Sequence, residues 1–511
     1  MKPSQKRQRA DAEQEDRPRS LSTPISPPRK SQRVDDGHLK SPWQLTWIRD
    51  LPEKLNRDAV TLKDLLGDPL ISECWEFNYL HDIRFLMDAF DPDTKHLVKI
   101  HVVHGFWKSE DPHRMALSMD ASTFENVQLH VAPMPEMFGT HHSKMMVLFR
   151  HDDTAEVIIH TANMIPKDWT NMTNAVWRSP RLPKMEEEEV KDPGKYETLQ
   201  IGGGERFKAD LISYLRSYDR RKITCGSLAE KLMHYDFSSV RAALIASVPG
   251  RHDVNDFSMT AFGWSGVKRY LRAVSCKEGN AEIVAQVSSI ATLGGKDTWL
   301  QKTLFDSLSS CKSRTGQQPK FKVVFPTADE IRKSLDGYAS GASIHTKIQS
   351  AQQTQQLGYL RPIFHHWAND SDNGVALPLD SPRQNGGRDT AAPHIKTYIR
   401  YNDKDSIDWA ILTSANISKQ AWGEASKQSG EMRVASWEVG VLIWPELFGK
   451  DALMVGTFQS DSPDSMSPKD GFNPVLVGLR IPYSLPLQQY TSREVPWVAT
   501  LNYSEPDCHG R

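Results

Sequence analysis

The feature that most restricts the architecture of this 511-residue chain is an internal repeat. Residues 142–169 read HSKMMVLFRHDDTAEVIIHTANMIPKDW, and residues 394–422 read HIKTYIRYNDKDSIDWAILTSANISKQAW. Each copy opens on His-x-Lys, continues through an apolar run, a polar turn and a second apolar run, and closes on Ala-Asn with a Trp six residues after the Asn. His142 precedes Asn163 by 21 residues and His394 precedes Asn416 by 22. Short apolar runs broken by a polar turn read as paired strands. A unit repeated at this separation asks for two similar halves that each contribute one copy.

The rest of the chain fits that frame. Residues 127–131, 144–150, 156–159, 242–247, 281–287, 321–325, 396–400, 409–413 and 437–444 read as strands, while Phe207, Leu211, Ile212 and Leu215 recur at helical spacing. Thr327 followed by Glu330 is a capping-box signature that opens a helix. Strands alternating with helices give an α/β class, with domains expected over residues 41–250 and 251–511, divided near Pro249-Gly250. Residues 180–204 and 369–392 read as inserted loops, and the glycines at 202–204 lack the context of a phosphate loop.

Residues 1–40 are rich in Ser, Pro, Gln and charge and nearly free of aromatics, so they are expected to stay disordered. Their clusters Lys6-Arg7-Gln8-Arg9 and Pro28-Arg29-Lys30 suit a nuclear-import or phosphorylation-controlled segment, and equally a plain solvated tail. No apolar run reaches the roughly 18 residues of a membrane span, and the N-terminus lacks an apolar signal core, so a soluble, intracellular protein is expected. The five cysteines are widely spaced and form no CxxC pair, which suggests neither a disulfide framework nor a zinc site.

With 18 histidines in the chain, an isolated His-x-Lys carries little weight, and four occur, at His38, His142, His345 and His394. Only His142 and His394 share the extended pattern. On a strand, residues two apart face one side, so each copy presents an imidazole and an ammonium together, with the Asn of the next strand beside them. Two such sets related by a pseudo-two-fold axis suit a phosphodiester. Lysines and asparagines grip the non-bridging oxygens and stabilise developing charge. One imidazole attacks phosphorus in line while the other protonates the leaving oxygen, giving a phosphohistidine that water then hydrolyses.

At these residues the sequence resembles the phospholipase D superfamily, whose usual motif is HxKxxxxD. The Asp position holds Phe149 in the first copy and Tyr401 in the second, a departure that resembles the tyrosyl-DNA phosphodiesterase family. FGTHHSKMM (138–146), HTANMIPKDW (160–169), FKADLISYL (207–215), VPGR (248–251), PHIKTYIR (393–400) and TSANISKQAWG (413–423) are similar to that family too. The resemblance runs from about Ser41 to the C-terminus.

It implies two α/β/α sandwich domains of phospholipase D type around a central cleft. It also implies roles: His142 as nucleophile, His394 as general acid and then base, and Lys144, Lys396, Asn163 and Asn416 as the phosphate grip. Asn174 stands where the family has a supporting Gln, and Glu438 where it has a supporting Glu. Phe138 corresponds to an aromatic that stacks on a DNA base, Ser288 and Ser289 to contacts with DNA phosphates, and Tyr79 to the peptide side. The implied protein is a nuclear, monomeric DNA-repair enzyme that needs no metal or other cofactor. It would hydrolyse the bond between a DNA 3′-phosphate, single- or double-stranded, and a topoisomerase-derived tyrosine, leaving a 3′-phosphate. Two alternatives stay open: another hydrolase of the superfamily (a metal-independent nuclease or a phospholipase), and a catalytically inactive DNA-end-binding scaffold.

Charge adds one constraint. The chain carries 63 basic and 64 acidic residues, but residues 1–40 hold 10 and 6 of them, so residues 41–511 hold 53 against 58, a net of −5. A DNA-acting body with that balance is expected to confine positive potential to a cleft around Lys144 and Lys396 and to bind an end rather than coat a duplex.

Overall fold

In the computed structural model, described over residues 37–186, 195–219, 223–313, 316–368, 383–403, 405–425, 430–464 and 474–511, the repeat seen in the sequence extends to whole sheets. The first sheet runs, in spatial order, Trp43–Leu45, Ala175–Arg178, Thr154–His160, Met145–Arg150, Ile71–Phe77, Lys99–His104 and Val127–Val131. The second contains the same series: Ala243–Ser247, Glu438–Ile443, Ile407–Thr413, Thr397–Asn402, Ala281–Gln286, Lys320–Val324 and Phe364–His365. Each series is antiparallel through its first five strands and parallel through its last three. The mixed pattern follows from connection length, because the hairpins close with short turns whereas the parallel steps pass through helices.

Each sheet hides its outer face under helices. In the first half, Leu62–Leu66, Ile83–Ala89 and Pro112–Ala121 pack on Cys74, Ile100, Met146 and Ile158. In the second, Gly263–Leu271, Ala328–Arg332 and Ala351–Leu360 pack on Ile283, Val323 and Ile411. The inner faces share a third core, in which Val147 and Val157 meet Leu412, Val439 and Val441, joined by Phe207, Leu211, Tyr214 and Leu228 from Gly204–Arg216 and Gly226–Met233. Near-complete burial of these side chains, at about 1.5–3 kcal/mol each, binds the two halves through one interior.

Several boundaries differ from the sequence reading. Residues 37–40 are ordered: His38–Leu39 pairs in parallel with Leu476 and Val477, and Lys40 bridges Asp58 at 2.8 Å. Residues 1–36, with both basic clusters, lie outside the described residues, as does most of the predicted loop at 369–392. Pairing places Ala243–Ser247 in the second sheet as the counterpart of Trp43–Leu45, so the second series of strands starts before Pro249-Gly250. The capping box forms: Thr327 accepts from the Glu330 amide at 3.1 Å and Glu330 accepts from the Thr327 amide at 2.6 Å. Among the described residues no helix is long and apolar enough to cross a membrane, and no group of three or more His, Cys, Asp or Glu is arranged to hold a metal ion.

Candidate functional site

Neither His-x-Lys lies inside a strand. Both occupy the extended segment just before one, at Met145–Arg150 and Thr397–Asn402. Each is anchored there by the other half. His142 N–H donates to the Trp437 carbonyl at 3.0 Å and His394 N–H to the Thr173 carbonyl at 2.9 Å. His141 forms a parallel bridge with Trp437, and Pro393 forms one with Thr173. The alternation expected of an extended chain still holds. Ser143 turns inward to the Tyr214 hydroxyl, and Ile395 sits in the shared core.

The residues that follow those cross-half anchors orient the imidazoles. Glu438 Oε2 accepts from His142 Nδ1 at 2.9 Å and from the Ser414 hydroxyl at 2.6 Å. Asn174 Oδ1 accepts from His394 Nδ1 at 3.1 Å and from the Thr161 hydroxyl at 2.8 Å. The support is therefore crossed: each half supplies the acceptor for the other half's histidine, and braces it with the Thr or Ser two residues before its own Asn. Both imidazoles are engaged at Nδ1, which leaves Nε2 as the nitrogen able to attack or transfer a proton. The amide of Asn174, although shorter than the family Gln, reaches His394.

Asp168, which the sequence reading did not single out, reinforces one side only. Its Oδ2 lies 3.2 Å from His394 Nδ1 and accepts from the Asn163 backbone at 2.7 Å and the Asn163 side chain at 2.9 Å. The counterpart five residues after Asn416 is Ala421. The break in symmetry at that position was the available signal.

The lysines complete the floor. Lys144 and Lys396 are fully buried and each donates to the carbonyl of its own motif histidine, at 3.2 Å for Lys144. Asn416 Oδ1 accepts from the backbone amides of Ser288 at 3.1 Å and Ser289 at 2.9 Å, which turns its NH₂ end the other way. The two serines thus hold the clamp through their main chain. Tyr79 stands at the mouth, its ring centroid 5.9 Å from that of His142. Phe138 is 79% exposed, on a loop that docks onto the second half through Thr140 N–H to Ser436 Oγ at 3.1 Å. An ordinary core Phe is thereby excluded at this position. The third His-x-Lys, at His345, does not open a strand, yet it joins this neighbourhood. His345 N–H donates to the Ser288 carbonyl, and the Ile290 N–H donates to the His345 carbonyl, both at 2.9 Å.

Burial and like charge dominate the electrostatics. Desolvation brings the Lys144 ammonium down to about 8. Burial first, then Lys396 and Lys144, hold the His394 imidazolium well below its usual range. His142 is lowered by burial and then partly restored by Glu438. Burial pushes Glu438 up, but His142, Ser414 and Lys144 outweigh it and keep its carboxyl below the ordinary value. A dry site whose two lysines face the carboxylates of Glu438 and Asp168 only from behind the imidazoles keeps preorganised donors for a phosphodiester anion.

The comparisons with known proteins agree with that chemistry. The family model described as tyrosyl-DNA phosphodiesterase matches residues 42–491. A probable tyrosyl-DNA phosphodiesterase of Schizosaccharomyces pombe (strain 972 / ATCC 24843) is 28% identical, the alignment covering 95% of this chain and 98% of the relative. Tyrosyl-DNA phosphodiesterase 1 of Arabidopsis thaliana is also 28% identical, over 93% of this chain and 76% of its own. The crystal structure of the yeast tyrosyl-DNA phosphodiesterase superposes with a TM-score of 0.63 at 19% identity, covering 90% of this chain and 99% of that one, and shares the fold. A match running through both His-x-Lys copies and nearly the whole folded body shows that the chain belongs to the tyrosyl-DNA phosphodiesterase family, enzymes of the phosphoric diester hydrolase class.

Proposed function

We propose that this protein hydrolyses the 3′-phosphotyrosyl bond between DNA and a topoisomerase-derived tyrosine through a phosphohistidine, leaving a 3′-phosphate. The observation that carries this reading is the crossed Nδ1 support of His142 and His394 over a floor of two buried lysines. In the first step His142 Nε2 attacks phosphorus as the P–O bond to tyrosine breaks, and His394 Nε2–H gives its proton to the departing phenol oxygen. In the second, water attacks phosphorus while His394 Nε2 takes its proton, the P–N bond breaks, and His142 is restored. Lys144, Lys396, Asn163 and Asn416 hold the non-bridging oxygens throughout, a role that preorganised donors perform best in a water-poor site.

Free His394 is held neutral by burial and by the neighbouring ammonium groups. A bound phosphate anion offsets those charges and lets His394 carry the proton it must donate. Tyr79 would face the peptide, while Phe138, Ser288 and Ser289 would face DNA. A nuclear location, suggested by the basic clusters of residues 1–36, fits such a substrate.

The test is a single-turnover assay with a 3′-phosphotyrosyl oligonucleotide in excess chelator. The expected product is the 3′-phosphate. His142→Ala is expected to form no covalent adduct, and His394→Ala to form one that decays slowly. A covalent adduct in His142→Ala, or a strict requirement for added divalent metal, refutes the proposal.

A further inference from the structure

Beneath the clamp, on its first-half side, lies a buried ion pair that the proposed chemistry does not use. Glu76, in the strand Ile71–Phe77, stands opposite Met146, and Phe77 stands opposite Met145, so one further step brings Asn78 level with Lys144. Residues opposite each other in a sheet share a face, and diagonal neighbours lie within reach of long side chains. Glu76 and Lys144 are diagonal neighbours of this kind. The side chains of Glu76 and His81 have no exposed surface, and His81 Nδ1 lies 2.8 Å from Glu76 Oε2. His81 Nε2–H donates to the Asn78 carbonyl at 3.1 Å, which also accepts from His141 Nδ1 at 2.9 Å. A carbonyl only accepts, and a carboxylate faces the other nitrogen, so the His81 ring is held as an imidazolium between two acceptors.

Packing alone does not account for the pair. Among the described residues, neither carboxylate oxygen of Glu76 takes a hydrogen bond, and a buried carboxylate in that condition is costly unless other charges offset it. The second half does without one: the position equivalent to Glu76 holds Ala285, opposite Tyr398 as Glu76 is opposite Met146. Charge accounts for the difference. Lys144 is buried, and the carboxylates of Glu438, Asp168 and Glu76 together oppose the desolvation of its ammonium. The other titratable groups around Lys144 are bases: His141, His142, His160, His394 and Lys396. On the far side of the pair stand Cys74 and His104. Of the three carboxylates, Glu438 and Asp168 are engaged with the motif imidazoles. Glu76 touches neither imidazole and is left to Lys144.

We infer that Glu76, held by His81, is a positioning residue for the phosphate clamp, its carboxylate keeping Lys144 a charged ammonium as pH rises. The inference rests on reading the clamp as a site for a phosphate at a DNA 3′-end. A carboxylate beside the phosphate would repel it; one placed a layer below, with an imidazolium behind it, supports the lysine without that conflict. The Lys144 ammonium is already brought down to about 8. Loss of one carboxylate moves it lower still, so the grip on phosphate is released at a lower pH.

The experiment follows, by fluorescence anisotropy from pH 6.5 to 9.5, the binding of a single strand ending in a 3′-phosphate to the full-length protein and to E76Q. The same strand ending in a 3′-hydroxyl is the control. In the unaltered protein, affinity for the 3′-phosphate strand is expected to fall above about pH 8, by up to about tenfold per pH unit. In E76Q the fall is expected to begin roughly one pH unit lower, as for an opposite charge withdrawn from a neighbouring ammonium. The two proteins then diverge by about tenfold between pH 6.5 and 8.5, and the control strand shows no shift. E76D, which keeps the charge, should restore the unaltered profile. E76A/H81F replaces the pair by apolar side chains and gives the same readout if E76Q folds poorly. A profile lowered evenly at every pH, or equal shifts for both strands, assigns Glu76 a merely structural role and overturns the inference. Absence of turnover of a 3′-phosphotyrosyl strand by the unaltered protein, with the E76Q shift still present, counts against the proposed reaction and leaves the role of Glu76 standing.

Discussion

At the scale of single residues, the two histidines are equivalent in position and unequal in environment. His142 donates to a carboxylate that is itself braced by Ser414, and His394 donates to an amide with Asp168 alongside. Removing the Ser414 hydroxyl strips a 2.6 Å hydrogen bond from Glu438. A bond to a charged group is worth about 1.5–3 kcal/mol. Ser414→Ala is therefore expected to slow adduct formation by about ten- to a hundredfold with little change in adduct decay, and Asn174→Ala to slow decay more than formation; rapid-quench time courses separate the two. The pH profile follows from the same groups. In the proposed reaction the attacking imidazole must be neutral, and burial lowers His142 from its ordinary value, so the acid limb of kcat/KM is expected below pH 6.5. A limb above pH 6.5 would contradict this assignment.

At the scale of elements, the His-x-Lys hairpins, the α/β class and the Thr327 cap were all legible, because each is written in local periodicity or in a fixed offset between two residues. Asp168, the ordered residues 37–40 and the place of Ala243–Ser247 were not. The first acts through a contact with His394, 226 positions away in the chain, and the other two depend on strand pairing that a local pattern cannot specify. His345 shows the same limit from the opposite side. Its His-x-Lys lacks the strand context that gives the motif weight, yet two backbone hydrogen bonds bring it beside Ser288. Glycine positions that no periodicity marks also matter at this scale. A Cβ on Gly139 would lie 1.9 Å from the Ala435 carbonyl, at the junction between the Phe138 loop and the second half. Gly139→Ala is expected to displace that loop and weaken DNA binding and turnover by an order of magnitude or more, as read from KM and kcat on a 3′-phosphotyrosyl oligonucleotide. Wild-type constants in that variant would mean that the junction yields without consequence.

At the scale of the molecule, the buried layers on both faces of the first sheet keep a large reserve of neutral histidine. Burial lowers His104, His141 and His160 each to about 3. An unfolded chain binds protons at these positions from about pH 6.5 downward while the folded chain does not. Their contribution is therefore complete above pH 6.5 and is lost as pH falls from there toward 3, at roughly 1.4 kcal/mol per group per pH unit. Urea midpoints measured from pH 7.5 to 5 are expected to drop steeply, and His160→Phe to flatten that slope; equal slopes in the two proteins would assign the loss to other groups.

The crossed supports have a consequence for how a strand is read. A frame with exact two-fold symmetry would accept a substrate either way round, since rotation exchanges its two imidazoles. Here the exchangeable positions hold Glu438 on one side and Asn174 with Asp168 on the other. That difference gives a symmetric scaffold a polarity, by which the proposed reaction would distinguish the two directions of a nucleic-acid chain before the site touches a single base.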